Sequence, residues 1–349
     1  MLLQDFVTLL FLFIAPHSSA ISLEDLELNV NEKQISVSGI SAGAFFSVQM
    51  HVAFSDVITG AGILAGGPYY CAQDDVLIAL GPCMVSPEQI DVSQLVSITE
   101  ATAATGFISS TSNLKNSRVY LFSGTRDTIV KQGSVVKLFE YYEKFVDDVD
   151  MNIKRVFSYP AEHAMITDDY GSACNYKGVP YINNCNYSAA FEILNHIYGD
   201  VEYASSAKAN SSNIAMFNQT KYFIDPHLVS MDDTGFIYIP TNCKQRNSKC
   251  KLHVAFHGCR QGYSMLNRTF VEHAGYNQIA EANDIIILYP QVYPTALNPR
   301  GCFDWWGYSS PAYASKDGLQ MAGVKEMIDD LIRSDSTSGA EIPFSARCD

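Results

Sequence analysis

Gly39-Ile40-Ser41-Ala42-Gly43 is the stretch on which the fold turns. It matches G-x-S-x-G, in which glycines on either side of a serine permit a strained strand-to-helix turn without Cβ clashes. Ile35 to Val37 is a short β-branched run leading into it, and Ala44 to Phe54 has the apolar content and length of a buried helix. A chance Gly/Ser turn is the bland reading of so short a motif, and the flanking strand and helix weigh against it.

The same alternation repeats outward. Gly60 to Leu64, Arg118 to Phe122, Ile153 to Tyr159, Gly235 to Ile239, Leu252 to Phe256 and Ile285 to Tyr289 read as strands. Helices are expected over Pro87 to Ala104, Ser134 to Val146, Ala189 to Tyr198, Asn267 to Asn283 and Asp317 to Ile332. Gly66 to Cys83 reads as a Gly/Pro/Cys loop, and Asp200 to Asn218, rich in Ala, Ser and Asn, as a connector. The predicted class is α/β, with a mostly parallel central sheet covered by helices on both faces. With no internal repeat, a single large domain over residues 21–349 is the simplest organisation.

A chain of 349 residues that is 47% hydrophobic and 17% charged can bury a large core. Its formal charge of -14 repels phosphate backbones and anionic head groups, which argues against nucleic acid and membrane surfaces and for a neutral or apolar substrate. The apolar run Val7 to Ala15, followed by Ser18, Ser19 and Ala20, predicts a signal peptide over residues 1–20, although Asp5 stands where a basic residue is usual. That run is shorter than the roughly 20 residues a bilayer span needs, so no stable membrane insertion is expected. The expected location is secreted and extracellular, or periplasmic or endolysosomal if the protein is retained.

Nine cysteines behind an export signal favour disulfides over metal ligation. Cys71 and Cys83, Cys174 and Cys185, and Cys243 and Cys250 are close pairs in loop-like surroundings; Cys259 and Cys302 then remain as a long-range pair, with Cys348 left over. Spacing alone leaves the connectivity open. Sequons at Asn186, Asn210, Asn218 and Asn267 would accept glycans in a eukaryotic secretory pathway.

A serine hydroxyl is a weak nucleophile and needs a histidine base oriented by a carboxylate, on loops after later strands of the same sheet. Asp127, in Ser123-Gly124-Thr125-Arg126-Asp127, and His163, in Pro160-Ala161-Glu162-His163, stand at such places, in the order Ser, Asp, His of α/β-hydrolases. Asp127 could instead serve the N-terminus of the helix that follows. Glu162 is a nominal alternative acid. His51 and His196 fall in expected helices, His227, His253 and His273 lack a loop motif, and His17 falls in the signal. His257 begins His257-Gly258-Cys259-Arg260-Gln261 directly after a strand, like the His-Gly loop that donates an N–H to an oxyanion hole. That loop ordinarily precedes the nucleophile. Here it follows, so the chain reads as a circularly permuted α/β-hydrolase in which the two-strand unit that ordinarily comes first, Leu252 to Phe256 and Ile285 to Tyr289, has moved to the C-terminal half; this is tolerable because domain termini lie at the surface and are often close together.

Taken together, the Gly-Ile-Ser-Ala-Gly box, the late His-Gly-Cys-Arg-Gln loop and the segment from His163 through Cys174 and Cys185 to Tyr198 resemble the extracellular short-chain-length poly(3-hydroxybutyrate) depolymerases. The likeness runs over nearly the whole mature chain and is to the single-domain members. It implies Ser41, Asp127 and His163 as a catalytic triad, the N–H groups of Ala42 and Cys259 as an oxyanion hole, and a Cys259–Cys302 bond. With that bond, Trp305 and Trp306 would sit beside the oxyanion loop and line an apolar crevice, although core packing accounts equally for an aromatic cluster. The implied protein is a monomeric serine esterase acting on a polyester or small ester, with no metal or organic cofactor. A feruloyl or acetylxylan esterase, or an inactive glycosylated binding protein on the same fold, are the alternatives.

Overall fold

In the computed structural model the described residues are 20–203 and 209–333. The expected signal peptide and Cys348 lie outside them, apart from Ala20 at the cleavage point. In chain order the elements are β1 (Val30–Ile40), α1 (Ala42–Ala53), β2 (Gly60–Leu64), α2 (Val76–Leu80), α3 (Val92–Ala104), β3 (Arg118–Phe122), α4 (Gln132–Tyr142), α5 (Val149–Asn152) and β4 (Ile153–Val156). Then follow β5 (Met165–Thr167), β6 (Ser172–Ala173), β7 (Ile182–Asn184), α6 (Ala189–Tyr198), β8 (Ile214–Asn218), β9 (Thr234–Tyr238), β10 (Cys250–Phe256), α7 (Tyr263–Leu266), α8 (Thr269–His273), α9 (Tyr276–Asn283), β11 (Ile285–Tyr289) and α10 (Leu319–Arg333).

Among the described residues the main sheet has the order β4-β3-β2-β1-β10-β11-β9-β8. Pairing is parallel from β4 to β11, while β9 runs antiparallel to both of its neighbours. If β8 to β11 are counted before β1 to β4, the order across the sheet becomes 1-2-4-3-5-6-7-8. Ser41 then follows the fifth strand and His257 the third, the strand whose loop supplies the oxyanion N–H in an α/β-hydrolase. The displaced unit is therefore four strands, not the two that the sequence suggested.

Small and polar residues on one face of the central strands let a helix lie close. Ser36 pairs with Gly60 and Ser38 with Gly62, so the four share a face. A Cβ on Gly60 or Gly62 would come within 2.8 Å of Ile197 or 2.5 Å of Ile193 of α6. His253 pairs with Ser36 across β1 and β10. Its Nδ1 meets Ser36 Oγ and its Nε2 meets Ser38 Oγ, each at 2.6 Å, and Tyr198 and Tyr276 complete the network from α6 and α9. The opposite face carries α1, whose His51 bonds Tyr142 of α4 at 2.8 Å and Ser117 at 3.0 Å.

Several expected boundaries move. The helix expected from Pro87 starts at Val92 because Asp91 caps it, accepting the Gln94 N–H at 3.0 Å. The helix expected over Asn267 to Asn283 breaks into α8 and α9 at Gly275, whose φ is 86°. The strand expected to reach Tyr159 stops at Val156, and the loop from Gly66 to Cys83 contains α2. Most consequentially, the expected connector over Asp200 to Asn218 ends in β8, which pairs antiparallel with β9 and closes the sheet at that edge. Its short apolar run follows a polar stretch that hides it from any local window.

Burial pushes both His51 and His253 down to about 3, so each stays neutral in the folded protein. Their unfolded value is about 6.5. Below it the unfolded chain takes up protons that the native state refuses until about pH 3, so stability present above pH 6.5 is lost as pH falls through that window. Urea titrations are expected to show a loss of roughly 2 kcal/mol per histidine between pH 6.5 and 5. His51→Gln should lower the linked proton uptake by about one proton in that range.

Candidate active site

The turn after β1 is strained and held from three sides. Ser41 adopts φ 57°, ψ -124°, a conformation that side-chain-bearing residues rarely take. Its N–H donates to Leu64 O of β2 at 3.0 Å, and its carbonyl accepts from Ala44 and Phe45 at 2.8 and 3.0 Å, so α1 starts at once. A Cβ on Gly39 would lie 2.3 Å from Gly43 O, and one on Gly43 would lie 2.4 Å from Phe256 O and 2.5 Å from His257 O. The two glycines of the motif are thus required by the first turn of α1 and by the end of β10.

The loops after β3 and β4 bring a carboxylate and a histidine together. Asp127 Oδ2 lies 2.8 Å from His163 Nδ1, while Asp127 Oδ1 accepts the N–H groups of Ile129 and Val130, both at 2.9 Å. One oxygen fixes the loop and the other faces the imidazole. Both side chains are almost wholly buried, at 6% exposure for His163 and 2% for Asp127. Asp127 does not cap α4, whose N-terminal flanking residue is Lys131. Glu162 is not the histidine's partner either. Its carboxylate accepts from the His163 N–H at 2.9 Å and from the Thr128 hydroxyl and N–H at 2.8 and 3.3 Å, tying the two loops to each other.

The loop after β10 lies against this pair. His257 is buried; its Nδ1 donates to Gly258 O at 2.8 Å and its Nε2 accepts from the Val292 N–H at 3.2 Å. Burial pushes it down to about 4, so it is a neutral strut. Gln261 accepts from the Gly258 N–H at 2.8 Å and donates to Pro180 O and Tyr181 O, linking this loop to the small β5-β7-β6 sheet. Ala42 opens α1, so its N–H has no carbonyl within its own helix.

Ser41, His163, Cys259, Trp305 and Trp306 all line one cavity of about 390 Å³. Trp305 stacks on Phe45 of α1 with centroids 4.0 Å apart, and Trp306 meets it edge-on at 5.7 Å. The turn carrying them is gathered by Asp304, whose carboxylate accepts from the N–H groups of Gly307, Tyr308 and Ser309 at 2.8–3.2 Å. Sequence reasoning missed Phe45, Val76, Leu80, Tyr181, Leu297 and Arg300, which also line it. Only α2 left a legible signal: Val76 to Leu80 is an apolar run behind Asp75, whose carboxylate accepts the Leu77 N–H.

The structure forms the bonds Cys71–Cys83, Cys174–Cys185, Cys243–Cys250 and Cys259–Cys302. The first encloses α2 at the cavity wall, the second anchors the segment after His163, where the Glu162 N–H donates to Cys174 O at 3.0 Å, and the fourth ties the β10 loop to the tryptophan turn. Asn186, Asn210, Asn218 and Asn267 are exposed, and none of them lines the cavity. Among the described residues no helix is long and apolar enough to cross a membrane.

Gly43→Ala tests the dependence of the turn on β10. The added methyl must displace two backbone carbonyls, and a loss of about 2–3 kcal/mol in urea unfolding is expected.

No family model matches the chain. A poly(3-hydroxybutyrate) depolymerase of Delftia acidovorans is 44% identical over 318 residues, covering 90% of this chain and 63% of that protein. The chain thus spans less than two thirds of that relative's length. A polyhydroxybutyrate depolymerase of Talaromyces funiculosus is 33% identical over 324 residues, covering 87% of this chain and 91% of that one. The crystal structure of PHB depolymerase from Penicillium funiculosum superposes with a TM-score of 0.80 at 31% identity, covering 88% of this chain and 98% of that one. A serine-to-alanine form of a PHB depolymerase, complexed with an R3HB trimer, matches equally well, with a TM-score of 0.80. Similarity of this extent in both sequence and structure places the chain in the poly(3-hydroxybutyrate) depolymerase family.

Proposed function

We propose that the protein is a secreted serine esterase that hydrolyses poly(3-hydroxybutyrate) or its oligomers. The observation that carries this reading is the 2.8 Å contact between Asp127 and His163 at a cavity that the strained Ser41 also lines. Family membership and the trimer bound by a structural neighbour support the substrate class. In this reading residues 1–20 are a cleaved signal peptide and 21–349 one catalytic domain acting as a monomer; the disulfides agree with an oxidising compartment.

The chemistry follows from the arrangement. Asp127 accepts the Nδ1 proton of His163, leaving Nε2 to take the Ser41 hydroxyl proton as the oxygen attacks the ester carbonyl. The Ala42 and Cys259 N–H groups hold the developing oxyanion. Collapse of the tetrahedral intermediate expels the alcohol, protonated by His163, and leaves an acyl group on Ser41. Water, deprotonated by the same histidine, then attacks the acyl carbonyl and releases a hydroxy acid or a shorter chain. The apolar wall of Phe45, Trp305 and Trp306 suits a chain of methyl-bearing ester units better than a charged one.

The test is hydrolysis of amorphous poly(3-hydroxybutyrate), p-nitrophenyl butyrate and methyl ferulate by the mature protein. Polymer clearing is expected, with kcat lower by about 10⁴-fold or more in Ser41→Ala and about 10³- to 10⁴-fold in Asp127→Asn. Activity confined to methyl ferulate would make it an esterase of another substrate class, and inactivity on all three would leave a binding protein.

A further inference from the structure

A polyester chain is neutral along its length, yet two arginines line this cavity. The Arg260 N–H donates to Arg300 O at 2.7 Å, which holds the two residues side by side, and the Cys259–Cys302 bond fixes the chain next to Arg260 and two residues beyond Arg300. Arg260 is half-buried and Arg300 exposed. Among the described residues neither guanidinium has a carboxylate, a hydrogen-bond acceptor or an aromatic face as partner. Among the described residues no Asp or Glu lines the cavity. Over the whole chain acidic residues outnumber basic ones, 37 to 23, and elsewhere Arg246, Arg268 and Arg333 each pair with a carboxylate, of Glu27, Glu272 and Asp329.

An unpaired pair of guanidinium groups beside an apolar wall attracts a planar anion, and a carboxylate matches the fork of an arginine with two parallel hydrogen bonds. The low-dielectric wall makes the attraction stronger than it would be in open solvent. A hydroxyalkanoate chain carries one such group, at its carboxyl end. We propose that Arg260 and Arg300 form a subsite for the free carboxylate of hydroxyacid oligomers, which selects chain ends and soluble oligomers over the interior of the polymer. This rests on the depolymerase reading above and adds a direction to it. The carboxyl-terminal fragment of the substrate is the one that leaves as an alcohol in the acylation step, so the arginines hold the leaving fragment while His163 protonates it. The overall negative charge of the chain does not oppose this, because at physiological salt charges are screened over about 8 Å and the local cations dominate within the cavity.

The test uses Ser41→Ala, which binds without turnover. Calorimetric titration at pH 7 compares the 3-hydroxybutyrate trimer as its free carboxylate with its methyl ester. The carboxylate is expected to bind about tenfold more tightly. Adding Arg260→Gln and Arg300→Gln should bring the ratio of the two affinities to about one, and Arg260→Lys with Arg300→Lys should restore part of it. Should the double variant not fold, Arg300→Gln alone, on the exposed residue, should lower the ratio. Equal affinities in the Ser41→Ala parent, or a preference that survives loss of both arginines, overturns the carboxylate subsite and leaves the depolymerase reading standing. Binding of neither trimer, with p-nitrophenyl butyrate still cleaved by the unmodified protein, overturns both.

Discussion

Everything in this molecule is arranged around one unfavourable backbone conformation. Ser41 sits at φ 57°, ψ -124° between the end of β1 and the start of α1, at a cost of order 1–3 kcal/mol for such a residue. The strain persists because its neighbours over-determine it. β1 is clamped between β2 and β10 by parallel pairing, and Gly43 is packed so tightly on Phe256 and His257 that α1 has no other place to begin. The same contact that holds the turn also brings the β10 loop beside the serine. A permuted chain can therefore keep the site, since what the chemistry needs is adjacency of the central strands and not their order in sequence.

Around this turn the structure uses polar groups in two distinct ways. Under the helices that cover the sheet they are satisfied: the buried His253, Ser36 and Ser38 form a closed network with Tyr198 and Tyr276 of α6 and α9, and the histidine stays neutral because charging it would cost its solvation. At the site they are held so that one atom remains available. Asp127 spends one carboxylate oxygen on its own loop and the other on His163, and Glu162 staples that loop to the next. Among the described residues three of the four disulfides bracket the cavity walls, with their cysteines in loops outside the main sheet. Closing such loops removes conformational freedom chiefly from the unfolded chain.

Charge shows how a whole-chain quantity and a local one can point in opposite directions. The net charge of -14 makes anionic macromolecules poor partners, yet among the described residues the cavity is lined by Arg260 and Arg300 and by no carboxylate. Composition averages over the surface and has no access to which side chains converge.

Much of the architecture was legible in the sequence because it is written locally. The G-x-S-x-G turn demands glycines at fixed positions, most of the buried parallel strands are short and mainly apolar, and the close cysteine pairs are separated by 12, 11 and 7 residues, so each leaves its mark within a short window. Local signals also placed Asp127 and His163 just after strands. What they could not contain is anything set by contact between distant segments. β8 forms only because β9 pairs with it, α9 starts where packing admits Gly275 at positive φ, and Phe45, Tyr181, Leu297 and Arg300 become cavity walls only when α1, the small sheet and the loop before Cys302 meet. The sequence by itself determined the strand–turn–helix alternation and the chemical groups available; the tertiary structure decided which of them share a cavity, because that depends on strand order, and strand order is settled by long-range packing.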